Sequence, residues 1–259
     1  MSKTYIVANW KMNFSVGESS VYLHKLLKNV PAKRDLEVVI APSLLALQPL
    51  SIQTDRKKIK LCAQNLNAHD FGPYTGEVSA SQLSSLVDFA IIGHSERRYI
   101  FGETNREIRS KVAAAIRNRI SPILCLGETS DQRQFGETND VLYDQLLGGL
   151  ADIAVEDLPK VILAYEPVWA ISTTKNAKNP EPQDIQDVIG KIKTHLRQLY
   201  SDKIANQIPV LYGGSVNSTN AAAYLALDNV DGLLVGGASL IFDEFDRITQ
   251  LAAKLIEVE

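Results

Sequence analysis

Eight short apolar runs rich in Val and Ile recur along the chain, and they constrain its fold more than any other feature. Each run is too short for a helix, and a continuously apolar run fits a strand buried on both faces, as in a parallel sheet. The runs are YIVAN, EVVIA, IKLCAQ, FAIIG, PILCL, VILAYE, IPVLYG and GLLVGG. The pattern predicts a parallel sheet of buried strands.

Segments with helical spacing lie between these runs. Residues 103–119 show this best, because Ile108, Val112 and Ile116 fall on one stripe, with acidic residues at the start and arginines at the end, as the helix dipole favours. Asn217–Asn220 offers capping side chains before another helical stretch. Strands that alternate with helices predict βα units joined by right-handed crossovers.

Two architectures fit this alternation, an open doubly wound sheet and a closed eight-stranded barrel. An open dinucleotide-binding sheet should carry a glycine fingerprint after its first strand, but the first run continues as ANWKMNF. Eight runs with no linker or break in composition favour the barrel. We therefore predict an α/β fold, a single (β/α)8-barrel domain over residues 1–259.

The composition excludes several classes of function. Of the 259 residues, 45% are hydrophobic and 22% are charged, and the net charge is −3. Such a balance favours neither a nucleic-acid nor a membrane partner. The amino terminus lacks the apolar segment of a signal peptide, and no apolar run approaches a membrane span, so we expect a cytoplasmic location.

The cysteines and histidines indicate neither a disulfide framework nor a metal site. Cys62 and Cys125 are far apart in apolar runs, which predicts buried free thiols. His24, His69 and His195 show no metal-ligand spacing. We therefore expect no metal and no cofactor.

Polar residues are concentrated after the predicted strands, where barrel enzymes build their active sites. Glu166 lies at the end of the sixth run, and Pro167 follows it directly and ends the predicted strand. Desolvation at the end of an apolar strand can raise the proton affinity of a carboxylate, as a general base near neutral pH requires. The alternative is a structural glutamate paired with a nearby lysine. The segment behind it, apolar at first and then polar, could close over a substrate and exclude water.

A histidine and a lysine follow two other runs. His94 precedes Glu96 by two residues, and a neutral imidazole there could donate a hydrogen bond to a developing oxyanion, although a buried structural histidine fits equally well. Lys11, close behind Asn9, would bring positive charge to the same place. A solvated surface lysine is the alternative.

Two glycine pairs follow the last two runs, in GGSV at 213–216 and GGAS at 236–239. Glycines let backbone N–H groups approach an anion closely, and a helix that starts just afterwards adds positive dipole. The loops after strands seven and eight form a recurrent phosphate site in this fold. Each pair alone fits a tight turn, but the two together predict phosphate binding.

Six segments together resemble the signatures of the triosephosphate isomerase family, in its order and at similar spacings. They are NWKMN, IIGHSERR, CLGE, AYEPVWAI, YGGSV and GLLVGGASL. The resemblance covers essentially the whole chain. It implies an intramolecular aldose–ketose isomerase that interconverts dihydroxyacetone phosphate and D-glyceraldehyde 3-phosphate through an enediolate, in glycolysis and gluconeogenesis.

The resemblance assigns roles to individual residues. Glu166 would be the base, His94 the neutral electrophile, and Lys11 and Asn9 would stabilise the enediolate. The supporting residues would be Ser95 and Glu96, with Cys125 packed nearby. The phosphate would be held by backbone N–H groups of Ser172, Ser215, Gly236 and Gly237. The lid and its clamp would comprise Pro167, Val168, Trp169, Ile171 and Leu234.

The resemblance also implies a homodimer. The segment 64–79 is similar to the family's protruding loop, which inserts into a partner subunit. Thr75 would then reach the neighbour's site near Asn9 and Lys11.

The lid departs from the family pattern. Family members commonly read AIGTGKTA where this chain reads AISTTKNA, so Ser172 and Thr174 replace glycines. Where the backbone needs a positive φ, a non-glycine residue costs about 1 kcal/mol or more in conformational energy. We therefore expect a working lid with a changed balance between opening and closing.

Two other functions are compatible with parts of the sequence. A different phosphosugar enzyme on the same barrel would share the two phosphate loops, but not the segments around Lys11, His94 and Glu166 together. A non-catalytic scaffold that binds phosphate ligands would explain the altered lid. The intact set of polar strand-end residues favours the isomerase over both.

Overall fold

The eight apolar runs form a closed parallel barrel. The computed structural model describes residues 3–170 and 180–256. Within these residues the strands pair in chain order, and Val7 pairs with Leu234 to join the last strand to the first. The strands are β1 (Thr4–Asn9), β2 (Leu36–Ala41), β3 (Ile59–Ala63), β4 (Phe89–Ile92), β5 (Ser121–Leu126), β6 (Ile162–Tyr165), β7 (Val210–Tyr212) and β8 (Gly232–Val235). The barrel is confirmed, and the open sheet is excluded.

Helices follow the strands and cover the outside of the barrel. In the described part of the chain they are α1 (Val16–Asn29), α2 (Leu44–Gln53), α3 (Ala80–Leu83), α4 (Ser95–Tyr99), α5 (Asn105–Arg117), α6 (Ser130–Gln134), α7 (Thr138–Leu150), α8 (Pro182–Leu199), α9 (Asp202–Gln207), α10 (Ala221–Leu225) and α11 (Phe242–Ile256). Short 3-10 turns span Val155–Lys160, Val168–Ala170 and Gly237–Leu240. None of the helices described here is long and apolar enough to cross a membrane.

The helix predicted over residues 103–119 forms as α5, two residues shorter at each end. Thr104 is its N-cap and forms a reciprocal capping box with Glu107, which satisfies exposed N–H groups of the first turn. Arg119, with φ of 61°, lies in the left-handed region where a helix cannot continue. Of the predicted stripe, Ile108 and Val112 are fully buried and Ile116 is half-buried.

The core has two layers. Inside the barrel, inward-facing side chains such as Val7, Ile123 and Leu211 pack with both cysteines. Between strands and helices lies a larger apolar layer. Cys62 and Cys125 are buried free thiols, as predicted, and burial raises the pKa of both well above the usual value. The continuous apolar runs are thus explained, because each strand is buried on both faces.

Because all the strands are parallel, their carboxyl ends meet at one rim of the barrel. β1 ends at Asn9, β4 at Ile92, β6 at Tyr165 and β8 at Val235. The polar residues that follow these ends therefore share this rim, although 157 positions separate Asn9 from Glu166 in the sequence.

Candidate active site

Glu166 occupies the first position after β6, and its carboxylate is buried beside His94. Oε1 lies 3.1 Å from Nε2 of His94, and Oε2 accepts a hydrogen bond of 3.2 Å from the backbone N–H of Ser95. The backbone of Glu166 is held as well, because its N–H donates to the carbonyl of Leu126 at 2.7 Å. Gly127 makes this approach possible, since a Cβ there would lie 1.9 Å from the carbonyl oxygen of Glu166.

The contacts of Glu166 decide its ionisation. Burial raises the pKa of the carboxyl, but the His94 imidazole and the Ser95 N–H outweigh burial and hold the pKa below its usual value. The carboxylate is therefore charged and weakly basic while these contacts last. If it left them for another buried partner, the burial contribution would remain and its basicity would rise.

His94 caps the amino end of α4 with its ring. Nδ1 accepts a hydrogen bond of 3.2 Å from the backbone N–H of Glu96, so the proton of a neutral ring lies on Nε2, which faces Glu166. Burial lowers the pKa of His94, whereas the Glu166 carboxylate raises it above the usual value while the two are in contact. The Glu96 N–H opposes protonation of Nδ1. Without Glu166 at Nε2, burial and this N–H favour the neutral imidazole.

Lys11 reaches the same pocket in a strained backbone conformation. Its φ is 51°, which costs about 1 kcal/mol or more for a residue with a side chain. The side-chain amide of Gln64 donates to the carbonyl of Lys11 at 2.8 Å, and Asn9 Oδ1 accepts from its N–H at 3.1 Å. These contacts hold the conformation. Nζ lies 2.6 Å from Oε1 of Glu96, so the ammonium is fixed at the rim.

A cavity of about 240 Å³ opens between these residues, with Asn9, Lys11, His94 and Glu96 in its walls. Its size suits a small ligand. The described residues 3–170 and 180–256 contain no cluster of three or more His, Cys, Asp or Glu side chains placed to hold a metal ion.

The glycine turns after β7 and β8 lie next to the polar residues. A Cβ at Gly213 would be 2.8 Å from Cγ of Glu166 and 3.5 Å from Cβ of Leu234. A Cβ at Gly236 would be 3.8 Å from Cε of Lys11. Ser215 and Gly237 flank these two glycines and are at least partly exposed. The structure thus places one predicted phosphate turn against Glu166 and the other beside Lys11.

The predicted lid residues are only partly described. Pro167 is buried, and Val168–Ala170 form a 3-10 turn directly behind Glu166. Leu234 is buried in β8. The predictions for Ile171, Ser172 and Thr174 fall outside the described residues.

Glu128 was missed by the sequence reasoning, although it stands in the quoted segment CLGE. It is fully buried, and its carboxylate accepts from Nε1 of Trp169 at 2.9 Å and lies 3.2 Å from the hydroxyl of Tyr165. Its carbonyl accepts from the N–H of Val168 at 3.0 Å. The sequence could have indicated Glu128, because it closely follows an apolar run, as Glu166 does. Cys125, the residue interpreted in that segment, is packed inside the barrel.

The predicted dimer loop protrudes beside the pocket. Residues 71–77 are exposed, including Thr75. Its base is fixed by Asp70, which pairs with Arg117 at 2.9 Å and accepts from Asn118 at 2.7 Å. The stacked rings of His69 and Tyr74, 4.4 Å apart, stiffen the loop itself.

A closed parallel barrel that gathers a buried carboxylate, an imidazole and a lysine at one rim defines a (β/α)8-barrel enzyme equipped for proton transfer. A model of the triosephosphate isomerase family matches residues 4–252. The chain therefore belongs to the triosephosphate isomerase family and is an isomerase.

Relatives from several bacteria carry the same name. Triosephosphate isomerase of Chlorobium phaeobacteroides is 42% identical over 254 residues, which cover 97% of this chain and all of that protein. The proteins of Chlorobaculum tepidum and Acetivibrio thermocellus are 41% and 40% identical, over 95% and 96% of this chain and 100% and 99% of their own lengths. None of these names favours the non-catalytic scaffold.

Proposed function

We propose that this member of the family interconverts dihydroxyacetone phosphate and D-glyceraldehyde 3-phosphate, with Glu166 as the base. The carboxylate would take a proton from the carbon beside the carbonyl and return it to the carbonyl carbon, while His94 passes the hydroxyl proton to the former carbonyl oxygen, so that no atom is gained or lost. The burial of Glu166 at a strand end, in contact with His94 of the pocket wall, supports this role most directly. Leaving His94 and Ser95 for the substrate would raise its basicity.

His94 and Lys11 would stabilise the enediolate. With Nδ1 accepting from the Glu96 N–H, the Nε2–H of His94 is free to donate to a substrate oxygen once Glu166 has moved. The ammonium of Lys11 would add positive charge beside it, and the amide of Asn9 would help. Glu96 holds Lys11 in place through their 2.6 Å contact.

Backbone N–H groups at the glycine turns would hold the phosphate. Ser215, Gly236 and Gly237 are the candidates, because a phosphate there would lie close to Lys11 and to the base. Ser172 would contribute a further N–H. Beyond Trp169, the lid would exclude water and so limit loss of phosphate from the enediolate.

We further propose that the chain acts as a homodimer in the cytoplasm. Apolar side chains crowd the face that carries the pocket and the loop 64–79, where Met12, Phe71 and Phe101 are exposed. Such a patch is typical of a protein interface. Thr75 of a second copy would reach the pocket beside Lys11.

The direct test is steady-state isomerisation of both triose phosphates, with Glu166→Asp as the diagnostic variant. The shorter side chain withdraws the carboxylate by roughly 1 Å, which costs about 100-fold in kcat when a reacting group is misplaced. Fast turnover that collapses in the variant supports the proposal. A folded wild-type protein that binds inorganic phosphate without turnover would instead be the non-catalytic scaffold.

A further inference from the structure

Arg133 touches both flanks of the segment 171–179, and the reaction described so far gives it no role. Its guanidinium carbon lies 4.5 Å from the ring centroid of Trp169, two residues before that segment. Nη2 lies 3.2 Å from Oδ1 of Asp184, in the first turn of α8 beyond the segment. Arg133 itself follows β5 on α6, so one side chain joins three parts of the rim.

The same guanidinium also pairs with Glu128. Nη1 lies 3.4 Å from Oε1 of this fully buried carboxylate, and no other cation in the described part of the chain pairs with it. Burying a carboxylate without a partner of opposite charge is unfavourable, so Arg133 supplies the charge that Glu128 faces. The pair with Asp184 is about half exposed and therefore weaker.

Only arginine can make these three contacts at once. Its planar guanidinium stacks on an indole face and still presents N–H groups at its edge to two carboxylates. Lysine would supply a single point charge, which could remain near Glu128 but could not stack in the same way.

Glu128 connects these contacts to the base. Its carboxylate accepts hydrogen bonds from the hydroxyl of Tyr165, one residue before Glu166, and from Nε1 of Trp169, three residues after Glu166. A change in the position of Glu128 would therefore shift the chain on both sides of Glu166. Only Pro167 and Val168 separate Glu166 from Trp169, which lies in the 3-10 turn Val168–Ala170, so the chain has little length to absorb that shift.

We propose that Arg133 is a positioning residue for the isomerisation. It holds Glu128 and Trp169 in place, and thereby the chain around Glu166, and it ties them to the first turn of α8. This inference rests on the proposed function, because it assigns Arg133 to the placement of that base.

The test compares Arg133→Met, Arg133→Lys and Asp184→Asn with the wild type, with Arg109→Met as the matched control. Arg109 pairs with Asp152, and its side chain is as exposed as that of Arg133, at 32% against 31%, but it lies on α5. Each variant is assayed for kcat, for KM and for the ratio of methylglyoxal formed to substrate isomerised. Methylglyoxal is the product that results when the enediolate loses its phosphate. Fluorescence reports the surroundings of Trp169, since Trp10 is fully buried in the core and serves as a constant background.

For Arg133→Met we expect kcat to fall about tenfold or more, with KM within about twofold, because the reacting groups are misplaced while the phosphate site is intact. The methylglyoxal ratio should rise, and the emission of Trp169 should shift to the red. Arg133→Lys should recover part of kcat through its charge. Asp184→Asn should lose less than about threefold, as expected of an exposed pair. Arg109→Met should match the wild type.

The proposal is overturned if folded Arg133→Met keeps the kcat and methylglyoxal ratio of Arg109→Met, even if its melting temperature falls. If Arg133→Met does not fold, Arg133→Lys decides, because wild-type kinetics in that variant would also overturn the proposal. Absence of isomerisation by the wild type would be a failure of the proposed function and is recorded before any variant is compared.

Discussion

The carboxylate of Glu166 contacts the imidazole of His94, with 3.1 Å between Oε1 and Nε2. The two groups that the mechanism assigns to opposite tasks, taking a proton and donating a hydrogen bond, are thus paired with each other. This pairing lowers the pKa of Glu166 and raises that of His94. A substrate that separates them would restore a stronger base and a neutral imidazole together.

The pair predicts a particular pH dependence of stability. A lowered folded pKa means that Glu166 stabilises the fold above its unfolded pKa, about 4.3, and that this contribution is lost as pH falls through the folded value. The raised pKa of His94 gives the opposite pH dependence. Its contribution to stability is fully present below its unfolded pKa of about 6.5 and is lost as the pH rises through its folded pKa.

Urea denaturation of the wild type and Glu166→Gln from pH 3.5 to 8.5 measures this difference. We expect the advantage of the wild type in free energy of unfolding to be largest near pH 5 to 6, between the two ordinary values of about 4.3 and 6.5, and to shrink on both sides. The other carboxyl groups are common to both proteins and cancel. An advantage that grows as the pH falls below 4 would contradict the pairing.

Gly213 is predicted to be required for the position of the base rather than for folding. A Cβ there would lie 2.8 Å from Cγ of Glu166, so Gly213→Ala should displace the carboxylate and lower kcat about tenfold or more. Gly190→Ala is the control, because a Cβ at this position of α8 meets nothing within 4 Å. The control should keep its kcat and gain about 0.5–1 kcal/mol in stability. Equal kcat values in the two variants would refute this role of Gly213.

The dimer prediction can be tested on the exposed loop. Wild-type protein should sediment at twice the chain mass of 28.5 kDa, and Phe71→Asp should shift it toward the monomer with loss of activity, because a charge would be buried in the interface. Phe71 is 90% exposed, and Ile52 on α2 is 80% exposed, so Ile52→Asp is a matched control that should leave the dimer intact. A wild-type monomer that is fully active at micromolar concentration would rule out the dependence on dimerisation.

The lid substitutions should alter partitioning of the enediolate. Restoring glycine at Ser172 and Thr174 together would remove any penalty, about 1 kcal/mol or more for each position that needs a positive φ. We expect a change in turnover or in the fraction of substrate lost as methylglyoxal. Kinetics identical to those of the wild type in both respects would show that neither position needs glycine.

The pattern of the sequence was enough to predict the barrel. Strands buried on both faces must be continuously apolar, so β2 and β8 were visible as runs without any structural information. The end of α5 could not be predicted to the residue. The left-handed φ of Arg119 is a backbone property that the residue types there do not indicate.

The candidate site was predictable only as a set of strand ends. The position of a polar residue behind an apolar run is local information, which is how Glu166, His94 and Lys11 were found. Which of them touch is tertiary information. Glu128 shows the difference, because its importance rests on its hydrogen bond from Trp169, which lies 41 positions further along the chain.

The sequence by itself determined the order of strands and helices, the buried faces and the residue types at the rim, since these depend on local periodicity and on the hydrophobicity of each run. The tertiary structure alone decided that Glu166 contacts His94, that Gly213 lies against Glu166, and that the left-handed backbone of Lys11 is held by Gln64. The physical reason is that closing the barrel sets distances between residues far apart in sequence, and hydrogen bonds and pKa values depend on those distances.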